Sequence, residues 1–167
     1  MEPSPFDGDN VLTVIQVLSG EDPQGERVLV MGGGVMGCEI ALYLAHQGKQ
    51  VTISTRRDID TLASDLFDHN NREMLLLLIK NGNINVLPGT VPVRPAEDGV
   101  VLDQNGVEKN ISVDSLVFAG RMISENGLSK SLGNPSGNIF SIGDCVKPNT
   151  IMDAVWGGFK AVREIEE

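Results

Sequence analysis

The residues with the most chemistry in their spacing are Val28-Leu29-Val30-Met31-Gly32-Gly33-Gly34-Val35-Met36-Gly37-Cys38-Glu39. An apolar run of strand length ends in G-x-G-x-x-G, and a helical pattern follows at once. In that context each glycine of the motif has a separate physical reason. Gly32 allows a tight turn out of the strand. Gly34, having no Cβ, lets the backbone approach a diphosphate, and Gly37 lets the new helix pack closely on the sheet. The helix start then offers unpaired N–H groups, with Val35 and Met36 between the last two glycines, and the positive end of the helix dipole. Such a start binds the pyrophosphate of a dinucleotide. The alternative is a glycine turn with a structural role alone.

The next informative position is the end of the following strand, where a chain that selects NAD(H) commonly places Asp or Glu against the ribose hydroxyls. Here the β-branched run 51–55 ends in Thr55-Arg56-Arg57, with no acid before Asp58. Planar guanidinium donors bind phosphate oxygens in pairs, so Arg56 and Arg57 suit a 2′-phosphate and favour NADP(H) over NAD(H). The competing reading makes both arginines solvated loop charges. Other reactive residue types point away from catalysis. Cys38 and Cys145 form no C-x-x-C pair, which excludes a local redox dithiol. Cys38 lies at a helix start, where a thiol pKa can fall, yet it reads as a small packed apolar residue. His46 and His69 lack partners at metal spacing, so no metal site is expected.

The elements that must position these residues follow from periodicity. Residues 1–25 read as a linker, with an apolar stretch at 11–18 long enough for a helix turn or two. A βαβ unit occupies 27–55: Ile40, Ala41, Leu44 and Ala45 form a helical stripe and Gly48 stops it. Residues 62–80 read as one helix, with Leu66, Met74, Leu75, Leu78 and Ile79 toward the core, ended by 81–83. A short parallel strand at 84–87 comes next. Three β segments near 91–93, 99–102 and 110–113, separated by turn residues at 98–99 and 104–106, read as an antiparallel meander. Residues 115–119 and 139–142 read as strands. The helix expected at 150–167 carries Ile151, Ala154, Val155, Phe159, Val162 and Ile165 on one face. The result is an α/β, Rossmann-like chain with a parallel sheet, helices on one side of it and the meander on the other.

Composition bounds the partners. The chain has 167 residues, long enough for one ordinary domain and too short for two full dinucleotide folds. Its net charge of −10 argues against nucleic acid and anionic membranes. An anionic dinucleotide would therefore be bound against the overall field, by local donors. No apolar run approaches membrane-spanning length, and no basic-then-apolar leader is visible, which gives a cytoplasmic expectation.

Gly32 to Glu39 followed by Val51-Thr52-Ile53 resembles the pyridine-nucleotide domain of two-dinucleotide flavoproteins, the glutathione reductase-like superfamily. Asn138-Ile139-Phe140-Ser141-Ile142-Gly143-Asp144-Cys145 resembles that superfamily's late FAD motif, whose aspartate contacts the flavin's ribityl and pyrophosphate portion. Val146 to Ala154, then Gly158 and 161–165, look like the C-terminal end of 2,4-dienoyl-CoA reductase, 2-enoate reductase and trimethylamine dehydrogenase. The opening, Pro5-Phe6-Asp7-Gly8-Asp9-Asn10-Val11 with 17–20, also fits.

The resemblance implies a three-layer FAD/NAD(P)-binding fold and hydride transfer from NAD(P)H to FAD, then on to an enoate or enoyl-CoA-type acceptor. It implies cofactor contacts at Gly32, Gly34, Val35, Met36, Gly37, Glu39, Thr55, Arg56, Arg57, Gly120, Gly143 and Asp144, and no catalytic residue. Glu39 has a second reading, as a first-turn acid favourable to the helix dipole. The segment 118–124 lacks the proline that the superfamily carries in this loop.

The complete proteins of this type carry a flavin and iron–sulfur barrel and a first glycine fingerprint that holds the FAD adenosine, and neither pattern occurs in this sequence. The simplest reading is an excised portion: 1–25 a linker, 26–126 the NAD(P)-binding domain, and 127–167 the last strand and helix of the FAD domain. On that reading FAD belongs to the full-length protein and is not expected here. The chain alone would be inactive, its partners would be a dinucleotide and the missing FAD-domain half and barrel, and the C-terminal helix could drive self-association. The competing classes are a non-catalytic dinucleotide-binding or partner-docking module and a disulfide reductase-like NADPH domain.

Overall fold

The computed structural model describes residues 1, 4, 6–66, 68–133 and 139–165. Pro5 and Asn138 of the quoted motifs, and the expected helix end at 166–167, lie outside them. The chain divides into two compact units, Pro3–Gly120 and Arg121–Glu167, the latter grouped with Met1–Glu2.

The first unit is built on a five-stranded sheet in the order β1-β8-β2-β3-β4, with every pairing parallel. The strands are β1 (Val11–Thr13), β2 (Arg27–Met31), β3 (Gln50–Ser54), β4 (Asn85–Leu87) and β8 (Ser115–Phe118). Val28, Leu29 and Val30 of central β2 are fully buried, as a parallel strand covered on both faces requires. Helix α2 (Val35–His46) connects β2 to β3, burying Cys38, Ile40, Ala41 and Leu44; Gln47 caps it and Gly48 turns away at φ 89°. Helix α3 (His69–Asn81) packs on α2 and leads into β4. A second, antiparallel sheet of β5 (Thr90–Ala96), β6 (Gly99–Gln104) and β7 (Val107–Ser112) follows, and the chain then returns to the first sheet as β8.

This is the Rossmann-like architecture that the sequence implies, with three local corrections. Residues 11–18 are not a plain helical stretch in a linker. Val11–Thr13 adds β1 to the sheet edge beside β8, and only Val14–Leu18 is helical (α1). The break falls at Thr13, whose hydroxyl accepts the Gln16 N–H while the Gln16 side chain accepts the Thr13 N–H, a capping box that fixes the helix start. The helix expected over 62–80 begins only at His69, capped by Asp68, which accepts from the Asn71 N–H at 2.8 Å. Before it lie a short 3₁₀ turn at Ile59–Thr61 and Ala63 at φ 51°, a left-handed conformation that no helix contains. Leu75 and Ile79 face the core as expected, whereas Met74 and Leu78 are exposed.

In the second unit, α4 (Gly127–Leu132) precedes α5 (Ile151–Ile165). Residues 139–142 form no strand, contrary to the reading from sequence, because a strand exists through its ladder and the described residues of this unit include no other strand to pair with. Ile142 is nevertheless extended, at φ −138° and ψ 162°. The α5 face carrying Ile151, Val155, Phe159, Val162 and Ile165 is exposed throughout. Phe159 meets Trp156 edge-on at 5.6 Å and the Arg163 guanidinium at 5.8 Å.

Candidate functional site

The bend between β2 and α2 has the geometry that its glycines suggest. Gly32 sits at φ 133° with its N–H on the Ser54 carbonyl at 2.9 Å, and a Cβ there would lie 2.7 Å from the Ala119 carbonyl oxygen. Across the bend, a Cβ on Gly37 would stand 2.0 Å from the Gly32 carbonyl oxygen. The first turn of α2 therefore lies directly against the end of β2. Gly33, outside the motif, is equally constrained, because a Cβ would fall 2.4 Å from the Thr55 hydroxyl. Of the first N–H groups of α2, that of Cys38 reaches the Gly34 carbonyl at 3.0 Å. Those of Met36 and Gly37 meet no acceptor among the described residues. The bend thus presents open donors beside a backbone that lacks Cβ atoms, the arrangement a phosphate oxygen fits.

One residue at this bend had no signal in the sequence. Asp65 reaches it from the segment between β3 and α3, its carboxylate accepting the Val35 N–H at 3.1 and 3.3 Å. A Cβ on Gly34 would lie 3.0 Å from the same carboxylate. An anion does sit at the start of α2, and it belongs to the chain itself. The Arg57 guanidinium pairs with Asp65 at 2.9 Å and donates to the Ser64 hydroxyl at 2.9 Å. Arg56, at the same strand end, is exposed and makes no ion pair or hydrogen bond through its side chain among the described residues. The two arginines are therefore adjacent but unequal.

The remaining expected positions divide by burial. Thr55 is buried, with its hydroxyl accepting the Arg57 N–H at 3.1 Å, so the side chain supports the bend and the arginine loop from beneath. Glu39 is exposed and lies beyond the first turn of α2, which contains no acid. Its reading as a first-turn acid therefore loses its geometric basis. Gly120 follows β8, and a Cβ there would collide with the Phe118 ring at 2.2 Å. Cys38 is fully buried; that burial, with the Asp65 carboxylate adding to it, pushes the thiol up to about 12. It is a packed residue, inert as a nucleophile at neutral pH. His46 and His69 are exposed, and no group of three His, Cys, Asp or Glu among the described residues could hold a metal.

Residues 6–158 match the pyridine nucleotide-disulphide oxidoreductase family. The chain belongs to that family. Among curated relatives of this pyridine nucleotide-disulphide oxidoreductase domain is the cinnamate reductase of Clostridium sporogenes, 37% identical over 158 residues that cover 94% of this chain and 24% of the relative. The NADH oxidase of Thermoanaerobacter brockii is 32% identical, covering 84% of this chain and 21% of its own length. Among solved structures, a 2-naphthoyl-CoA reductase superposes with a TM-score of 0.83 at 26% identity, over 96% of this chain and 25% of that one. The chain thus spans about a quarter of the length of the relatives it matches. The relatives are oxidoreductases, and the enoate reductase-like flavoproteins are the part of the superfamily that the sequence motifs indicate.

In the second unit of this domain, Gly143 turns at φ 67° ahead of Asp144, whose carboxylate is exposed and accepts the Asn149 N–H at 3.3 Å. Both line an open concavity of about 340 Å³, together with Phe140, Thr150, Asp153 and Gly157.

Proposed function

We propose that this chain is the NAD(P)H-docking portion of a larger flavin-dependent oxidoreductase acting on an enoate- or enoyl-CoA-type acceptor. The observation that carries the reading is the β2–α2 bend, where Gly37 closes onto the Gly32 carbonyl and open N–H donors face a surface without Cβ atoms. Gly32, Gly34 and Gly37, with the Val35 and Met36 N–H groups, would hold the pyrophosphate. Arg56 and Arg57 would take the phosphate on the adenosine ribose, favouring NADP(H) over NAD(H). Thr55 positions that pair, and Glu39 and Gly120 would lie along the nicotinamide half. Bound nicotinamide and flavin would supply the hydride chemistry, and this chain's residues orient them.

Residues 26–126 then form the NAD(P)-binding domain. Residues 127–167 form the end of the FAD domain, in which Gly143 and Asp144 would contact FAD once the rest of that domain is present. The apolar face of α5 would pack against that remainder; in the isolated chain it would pair with a second copy. The family and its cinnamate reductase and 2-naphthoyl-CoA reductase members support this reading. Titration of the purified chain with NADPH and NADH tests it, with the absorption spectrum read for flavin. Binding of NADPH in preference to NADH without stoichiometric FAD is expected. Absence of binding to either dinucleotide would sink the docking role, and one FAD per chain would overturn the reading as a portion inactive on its own.

A further inference from the structure

Residues 59–66 lie across the glycine bend and are fastened to it from several directions. The Ala63 N–H donates to the Gly33 carbonyl at 2.9 Å, and Leu62 and Ala63 are buried. Arg72 of α3 donates to the Leu62 carbonyl at 3.0 Å and the Asp60 carbonyl at 2.6 Å. Ala63 holds its left-handed φ of 51° within this segment, a strained conformation for a residue with a Cβ. From here Asp65 reaches the Val35 N–H and the space above Gly34, with Arg57 on its other side.

We infer that residues 59–66 are a strap whose Asp65 carboxylate competes with the pyrophosphate for the start of α2, so that docking a dinucleotide exchanges one anion for another. The inference rests on the dinucleotide reading of the bend. A pyrophosphate and the Asp65 carboxylate cannot occupy the Val35 N–H together, and like charges brought this close repel strongly. Displacing Asp65 also releases Arg57 from its ion pair. The same movement that opens the donors therefore frees a guanidinium for phosphate. Asp65 acts as a determinant of affinity, not as a contact to the cofactor.

The experiment is calorimetric titration of NADPH and NADH into the wild-type chain, Asp65→Asn and Asp58→Asn. Asp65→Asn keeps the shape of the strap and removes its charge. Asp58→Asn removes an exposed charge whose side chain makes no hydrogen bond or ion pair among the described residues, and so controls for the acidity of the whole chain. Asp65→Asn should bind about tenfold more tightly than wild type, the scale of relieving one close like-charge contact, while Asp58→Asn stays within about twofold. Circular dichroism melts accompany each titration, and Asp65→Ser serves in place of Asp65→Asn if that variant is unfolded. Wild-type binding with no gain in the Asp65 variant overturns the strap and leaves the docking function standing. An equal gain in Asp58→Asn overturns it too, in favour of bulk charge. If no protein binds either dinucleotide, both readings fall.

Discussion

Replacing Gly37 by Ala introduces a methyl group 2.0 Å from the Gly32 carbonyl oxygen and 3.4 Å from the Ala119 Cβ. Comfortable carbon contacts begin near 3.5 Å, so α2 must retreat from β2 by more than about 1 Å, or the bend must open. The obstacle is backbone, which cannot swing aside as a side chain can. Overpacking of this kind costs about 1–3 kcal/mol, and the rigidity of the obstacle puts Gly37→Ala at the upper end. Alanine's better helix propensity offsets about 1 kcal/mol. The net is a loss of about 2 kcal/mol, or roughly 4–8 °C in Tm for a chain of this size. The internal control is Gly158→Ala in α5, where the nearest heavy atom to the new Cβ is the Ile142 Cδ1 at an ordinary 3.6 Å. There propensity acts alone, and a gain of up to about 1 kcal/mol is expected. Urea unfolding followed by circular dichroism measures both. A Gly37→Ala protein as stable as wild type, or equal losses in the two variants, would refute the packing argument. Gly37→Ala should also weaken dinucleotide binding, since it moves the open N–H groups away from the bend.

The other predictions concern charge, thiols and turns. Asp114 accepts the Arg27 guanidinium, at 2.6 Å for the shortest contact, then the Arg27 and Glu26 N–H groups, and these bonds hold its carboxyl well below the usual carboxylate range. Because the folded pKa is depressed, the contribution is fully present above the unfolded pKa of about 3.9 and fades as pH falls toward the folded value. Asp114→Asn should therefore lower Tm at pH 7 and flatten the pH dependence of unfolding below about pH 4; an unchanged acid limb would count against it. Of the two free cysteines, buried Cys38 should resist a thiol reagent at pH 8 until urea unfolds the chain, whereas part-exposed Cys145 should react in the native state. Asn105 and Gly106, at φ 54° and 83°, connect β6 to β7 through a turn that needs two left-handed residues. Asn105→Ala should cost about 1 kcal/mol in urea unfolding and Asn105→Gly almost nothing. Neutralising Arg56 and Arg57 together should weaken NADPH more than NADH, and equal effects would remove the basis for the NADP(H) preference.

Much of this molecule is written locally. The run 28–31 is apolar without alternation because it is buried on both faces, and the glycines after it specify a bend that no other residue type fits, so β2, α2 and β3 were legible one after another. The meander was legible for the same reason: its short β segments and the turn residues between them, at 98–99 and 104–106, are properties of adjacent positions. What sequence could not supply were placements decided by distant partners. Val11–Thr13 is a strand only because β8, about a hundred residues later, lies beside it, and 139–142 is not one because the described residues of its own unit offer no strand to pair with. Residues 62–68 have helical composition, yet burial of Leu62 and Ala63 against the Gly33 turn overrides local preference and delays α3 to the Asp68 cap. That same tertiary contact brings Asp65, one acid among many in the chain, to the start of α2, where its carboxylate accepts the Val35 N–H. The glycine spacing determined that an anion can be held at the start of α2; folding of the intervening segment decided which anion is there first.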